Sequence, residues 1–418
     1  MASLRKNFSW LVVGYASIAA AQWLFVVIVV KFLGVQALGH YALALAIVSP
    51  IFMFTNLSLR SIQATDVDDK FLFLEFLSFR LLTSLLAIVL VGGLLFLVNY
   101  NTTVVQILIL LTMLKLAEGL SDVCYGVYQR QEQMSFIGKS LLIRSCLLVV
   151  GTVAIGWYSN SLVWMVAGTV FLYFAIAFFY DLPRFVGGLR QQWRGVKVLL
   201  DVFFKLLVIT LPLGITVCVN VLYQSIPRIL VEDLIGPAEL GVFSGISYFA
   251  VIGATVVNAL GQGATPKLAR LAKEDVRGFM ELITRLSSLV VCIGIAGVVF
   301  AWMFSDSFLS LVYSEEFLQR RQLFVLLMFV ALVTYLSGVL GCGLTALQEF
   351  RWQAYISAIC LIVLCISSYP LISVFGVIGA AAALCLAYLT KVGMEYLTLR
   401  RCLRWPAQSS DLQVRAVR

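Results

Sequence analysis

The chain has 418 residues, of which 61% are hydrophobic and only 12% charged. No soluble domain of that length could hide so much apolar surface in one core, because soluble proteins cover themselves with polar residues and carry about twice that share of charge. The net charge of +9 calls for no nucleic-acid partner: the basic residues cluster between apolar runs, where they set orientation and attract anionic headgroups.

Apolar runs near the ~20 residues of a membrane-spanning helix occur at 10–32, 41–59, 77–98 and 104–127. Others follow at 141–157, 162–180, 204–231 and 240–262, and the last at 286–304, 323–347, 354–374 and 378–398. The first run contains Ala19-Ala20-Ala21, which resembles a signal-peptidase site, but it stays apolar to Val30. That is longer than a signal core, so an uncleaved anchor is expected. Of the 30 lysines and arginines, 24 fall on one side of the resulting topology, including Arg5, Lys6, Arg60, Arg80, Arg144 and Lys267. The other side holds Lys31, Arg228, Arg320 and Arg321, while Lys115 and Lys391 lie inside spans. An alternation of that strength puts both termini in the cytoplasm. The nine cysteines form no CxxC pair and His40 is the sole histidine, so no disulfide, metal site or cofactor is assigned.

The chain is built twice. Residues 32–41, Phe32-Leu33-Gly34 through Leu38-Gly39-His40-Tyr41, align at an offset of 202 with Leu234-Ile235-Gly236 through Leu240-Gly241-Val242-Phe243. The same offset matches Gln22 with Gln224 and Asn56 with Asn258. The expected fold class is therefore an all-α polytopic membrane protein, with about twelve transmembrane helices in two pseudo-symmetric six-helix bundles around a central cavity. The bundles are expected at 1–183 and 204–399, joined by a cytoplasmic amphipathic linker at 184–203 and followed by a basic tail at 400–418. Transporters built from such repeats hold substrate between the halves, near mid-membrane.

Charges inside spans mark candidate sites, since each costs roughly 2.5–3.5 kcal/mol at the helix centre on insertion scales. Lys115, Glu118 and Asp122 fall at i, i+3 and i+7, on one helical face. They read either as a self-neutralising packing cluster or as a cavity wall whose carboxylates bind a coupling ion. Thr216, Asn220, Gln224, Arg228 and Glu232 recur every four residues between and beyond Pro212 and Pro227. That polar, kinked span suits a hinge along a pathway, although Arg228 and Glu232 could simply pair. Arg60 and Lys267 end equivalent helices of the two halves, as interface anchors or as phosphate ligands at the cavity mouth. Enzyme signatures are missing: Gly138-Lys139-Ser140 lacks the earlier glycine of a phosphate loop, where Gln133 stands. No HExxH or GxSxG occurs, and the outer loops are too short for a catalytic domain.

Several segments resemble Wzx-type polysaccharide flippases of the multidrug/oligosaccharidyl-lipid/polysaccharide exporter superfamily. They are Leu4-Arg5-Lys6-Asn7, the turn at 32–41, Leu211-Pro212-Leu213-Gly214, Ile226-Pro227-Arg228, the turn at 236–243, Thr265-Pro266-Lys267-Leu268-Ala269, and Phe375-Gly376-Val377-Ile378-Gly379-Ala380-Ala381. The resemblance implies a bacterial inner-membrane flippase that moves an undecaprenyl-diphosphate-linked oligosaccharide (an O-antigen, capsule or exopolysaccharide unit) outward. Membrane lipids, a polysaccharide polymerase and a chain-length regulator are the implied partners. On this reading Arg60, Lys115, Asn220, Gln224, Arg228 and Lys267 face substrate, and Glu118 and Asp122 couple to an ion. A multidrug or organic-cation antiporter of the same superfamily is the alternative.

Overall fold

The computed structural model describes residues 2–66, 70–186, 196–318 and 320–404. Helices α1 (Ala2–Leu33), α2 (Val35–Asn56), α3 (Leu59–Thr65), α4 (Phe73–Leu97) and α5 (Thr102–Arg130) are followed by α6 (Met134–Ser159) and α7 (Leu162–Ile176). A π-turn (Ala177–Asp181) and the short α8 (Pro183–Val186) lead to α9 (Val196–Leu234), α10 (Pro237–Glu274) and α11 (Val276–Val312). A 3₁₀ turn (Glu315–Phe317) precedes α12 (Arg321–Ala346) and α13 (Phe350–Arg404). Among the described residues there is no strand.

Eleven of these helical stretches are long and apolar enough to cross a membrane. The last, α13, runs 55 residues but is interrupted at Gly376, with φ 61° and ψ −139°. At ~1.5 Å per residue an unbroken helix of that length would far exceed one bilayer. The break makes it two crossings, separating the runs expected at 354–374 and 378–398 and restoring the total of twelve. A second interruption was not expected. The span at 41–59 ends at Asn56, and Leu57 and Ser58 take left-handed backbone, φ 52° and 50°, before α3 restarts.

Helix α4 carries buried polar residues on one side and exposed apolar residues on the other. On α4, Leu81, Leu82, Leu85, Leu86 and Val89 are exposed, whereas Arg80, Thr83 and Ser84 are buried. That is the reverse of a soluble helix and fits a surface solvated by lipid. Trp157, Tyr158 and Trp164 stand exposed around the α6–α7 turn, where amphipathic rings favour the membrane–water interface.

The chain packs as two compact units, Met1–Gly245 with Val312–Glu316, and Ile246–Leu311 with Phe317–Arg418. Helix α9 packs along α2 and α4 within the first unit. The boundary between units therefore falls inside α10, later in the chain than the linker expected at 184–203. Residues 187–195 of that linker and 405–418 of the basic tail lie outside the described residues.

Candidate functional site: a buried arginine–carboxylate cluster

Helix α5 is the spine of the polar interior of the first unit. Asn101 caps its start, accepting from the Thr103 backbone N–H at 3.3 Å. From there Lys115, near its midpoint, is followed by Glu118, Ser121, Asp122 and Tyr125 in its second half. Lys115 and Glu118 pair at 2.7 Å, both partly exposed. Asp122 does not join them. It receives Arg80 of α4 at 3.0 Å on Oδ2 and Arg60 of α3 at 3.5 Å on Oδ1.

Each arginine is held from several sides. Arg60 donates from Nε to Gln129 Oε1 at 3.0 Å and from Nη1 to the Tyr15 hydroxyl at 2.7 Å, with its guanidinium 5.5 Å from the Tyr125 ring centre. The left-handed pair Leu57–Ser58 starts α3, and Arg60 is its second residue, so this backbone break sets where the guanidinium begins. Arg80 is 1% exposed. It donates to the Asn56 carbonyl at 3.3 Å and to the Asn56 side-chain oxygen. Asn56 ends α2, so one guanidinium ties the end of that helix to α5.

One layer away, Arg144 of α6 and Asp181 at the end of the π-turn form a pair at 3.1 Å, with side chains 3% and 1% exposed. Arg144 also donates to the Ser121 hydroxyl and lies 4.9 Å from the Tyr173 ring centre. The Tyr125 hydroxyl shares a 2.6 Å hydrogen bond with Ser140. Its ring lies between Arg60 and Arg144, the latter at 5.9 Å, a favourable place for the negative face of an aromatic.

The charges do not cancel everywhere. Lys115 balances Glu118 and Arg144 balances Asp181, but two guanidinium groups share the single carboxylate of Asp122. The cluster keeps one positive charge in surplus, at a partly open position: the Asp122 side chain is 32% exposed and that of Arg60 19%. An anionic group can be met there without first desolvating a fully buried ion.

Of the residues expected to serve the site, the structure joins Arg60 with Asp122, and Lys115 with Glu118. Asn220 and Gln224 are exposed along α9 with Thr216, and Arg228 is half-buried on the same helix. Thr216 donates to the Pro212 carbonyl at 3.0 Å. Lys267 is exposed on α10 in the second unit. Arg80, Arg144 and Asp181 were not foreseen as site residues. The two arginines had been counted with the basic loops, yet both lie within membrane-spanning helices, at the eighth and eleventh positions of α4 and α6. The available signal was their setting within apolar runs, Phe79-Arg80-Leu81-Leu82 and Leu142-Ile143-Arg144-Ser145-Cys146-Leu147. Among the described residues no group of three or more His, Cys, Asp or Glu could hold a metal ion.

Residues 4–272 match the polysaccharide biosynthesis protein family, and 212–371 match the MatE family. A capsular polysaccharide biosynthesis protein, CapF of Staphylococcus aureus, is 28% identical over 402 residues, 95% of this chain and 99% of that one. Solved structures with the same fold include the MATE multidrug transporter DinF-BH, TM-score 0.69 at 14% identity over 96% of this chain and 95% of that one. A transporter of the MOP superfamily from Pyrococcus furiosus has TM-score 0.65 at 12% identity, covering 96% of both chains. The chain belongs to the polysaccharide biosynthesis protein family, as a Wzx-type member of the multidrug/oligosaccharidyl-lipid/polysaccharide exporter superfamily.

Proposed function

We propose that the protein flips an undecaprenyl-diphosphate-linked oligosaccharide across the bacterial inner membrane, with both termini in the cytoplasm, by alternating access of its two halves. The observation that carries this reading is the surplus guanidinium at Asp122. A lipid diphosphate is the anion such a flippase must take out of water, and Arg60 can meet it with planar, charge-assisted hydrogen bonds. Asn220, Gln224 and Arg228 on α9 and Lys267 on α10 offer further donors for sugar hydroxyls and phosphate oxygens. The isoprenoid tail stays in the bilayer, against the exposed apolar faces of the helices.

Diphosphate and Asp122 would then compete for Arg60. Binding substrate frees Asp122 from one of its two cations, so Glu118 and Asp122 remain the proposed ion-coupling pair of the first unit. The capsular relative favours a capsule or exopolysaccharide repeat over an O-antigen unit as the cargo, with a polymerase and a chain-length regulator as downstream partners.

The test is a deletion strain in which undecaprenyl-diphosphate-linked glycan is quantified and its leaflet assigned with a membrane-impermeant probe. Cytoplasmic-side accumulation relieved by the intact gene, and not by Arg60→Ala, supports flipping. If glycan still reaches the periplasm and only drug tolerance falls, the antiporter reading replaces it.

A further inference from the structure

The second unit buries a carboxylate that the site above does not use. Glu395 lies in the latter half of α13, within the membrane-crossing stretch, and is 3% exposed. Its Oε2 atom is fully buried and has no hydrogen-bond partner among the described residues. It sits over Gly341 of α12: a Cβ added there would stand 3.7 Å from Oε1. Among the described residues, the polar and titratable groups that act on it are Ser337 and Cys342 of α12, and Tyr388 and Lys391 of its own helix.

The first unit supplies a control for what such an acid needs. Asp181 stands 20 residues beyond Ser161, the residue before α7. Glu395 stands 19 beyond Gly376, the break that starts the corresponding last crossing. Asp181 is equally buried but is met head-on by Arg144 at 3.1 Å. A residue equivalent to Arg144 would fall on the first half of α13, whose interior from Ala354 to Val374 carries no charged residue. The cation that acts on Glu395 is Lys391, one turn earlier on the same helix and only half-buried; with one oxygen orphaned the anion stays costly, and the neutral acid, which needs no buried counter-charge, is the cheaper form.

We propose that Glu395 is a proton-binding site of the second unit, occupied in the conformation seen here and emptied when α12 and α13 separate enough to hydrate Oε2. The step is simple association: the carboxylate takes a proton from water and becomes a hydroxyl-bearing acid, then returns it to water. A proton suits the place better than a metal cation, since the Lys391 ammonium acts on the same carboxylate and would repel one. As a coupling site Glu395 rests on the transport function proposed above; as a proton site it does not.

The experiment is infrared difference spectroscopy of the full-length protein in detergent, between alkaline and acidic buffer, reading the carbonyl band of a buried protonated carboxyl. The band should be lost in Glu395→Gln and retained in Glu118→Gln and Asp122→Asn. Glu395→Asp, which keeps the acid and moves it by one methylene, should shift the band and its titration midpoint. It also serves if the glutamine variant does not fold. A band unchanged in Glu395→Gln or Glu395→Asp overturns the proposal. So does one that follows sodium chloride at fixed pH, which would make the site a cation site. In proteoliposomes of bacterial phospholipid, Glu395→Gln should then abolish the pH dependence of glycan transport. A Glu395-dependent band in a protein that moves no glycan would sink the flippase reading and leave the proton site standing.

Discussion

Gly39 lies against the backbone of Pro237 so closely that a Cβ added to it would stand 1.8 Å from the Pro237 carbonyl oxygen. The offset of 202 residues carries this contact onto a second one. Gly241 is the counterpart of Gly39, and Val35 that of Pro237. A Cβ on Gly241 would stand 2.1 Å from the Val35 carbonyl oxygen. The two copies of the duplicated turn thus meet reciprocally, as the two sides of a twofold interface do. Their glycines are required by close backbone approach, since both lie inside helices rather than at a turn needing positive φ. The contact holds the start of α2 against the start of α10.

Gly39→Val should therefore force the starts of α2 and α10 apart, and Gly241→Val should do the same from the other side. Two wedges acting on one contact should be non-additive, with the double variant little worse than either single one. The measurement is labelling of a cysteine placed at Leu38, buried here, by a membrane-impermeant maleimide. Faster labelling in each glycine variant is expected. Equal labelling would show that the turns do not hold that end closed.

The Arg144–Asp181 pair should behave as a structural brace. Removing one partner leaves a buried ion uncompensated, at a cost of about 3–5 kcal/mol, whereas replacing both by neutral groups of similar size is far milder. Arg144→Met and Asp181→Asn should each lower the thermal midpoint of the detergent-solubilised protein, and the double variant should recover most of the loss. If the singles melt like the parent, the pair contributes nothing to stability.

Arg60 and Arg80 hold the same carboxylate but should fail differently. Arg80 is buried and ties Asn56 to Asp122, so Arg80→Met should cost stability first and transport as a consequence. Arg60 is partly exposed, so Arg60→Ala should cost clearly less thermal stability than Arg80→Met while glycan accumulates on the cytoplasmic side. Thermal shift and glycan leaflet assay together separate the two, and equal destabilisation by both would remove the case for Arg60 as a substrate ligand.

Bilayer thickness made the crossings legible: a run of apolar residues of fixed length has few other uses, and even the break in α13 falls between two such runs. Pair partners were not legible, because they depend on which helix faces which. Lys115, Glu118 and Asp122 share a face of α5, and spacing alone allows either a self-neutralising cluster or a cavity wall. The structure instead gives Asp122 to Arg60 and Arg80, which arrive from α3 and α4. The same limit hid Arg80 and Arg144. A tally of basic residues assigns every arginine near a helix end to a loop, although each of these lies about 10–15 Å along its helix. Glu395 fell inside an expected span and still drew no notice, since its meaning depends on the absence of an arginine that only the comparison with Asp181 brings out.

Gly376 permits the sharpest backbone test. Its φ of 61° and ψ of −139° lie near a region that side-chain-bearing residues almost never occupy, at a cost of about 1–3 kcal/mol. Among the described residues no atom stands within reach of an added Cβ on Gly34 or Gly236, so alanine there meets the conformational penalty of positive φ. At Gly376 the same penalty falls on the hinge between the last two crossings. Relieving it by forming regular helix would fuse α13 into one rod that cannot fit a single bilayer. Gly376→Ala should therefore lower the thermal midpoint, and it should also expose a cysteine placed at Ala380, buried here, to a membrane-impermeant reagent. Gly34→Ala should lower the midpoint by a similar amount without exposing Ala380, because its strain stays at the α1–α2 turn. A Gly376→Ala protein with parental melting and no new labelling would mean that α13 does not fold back at that residue.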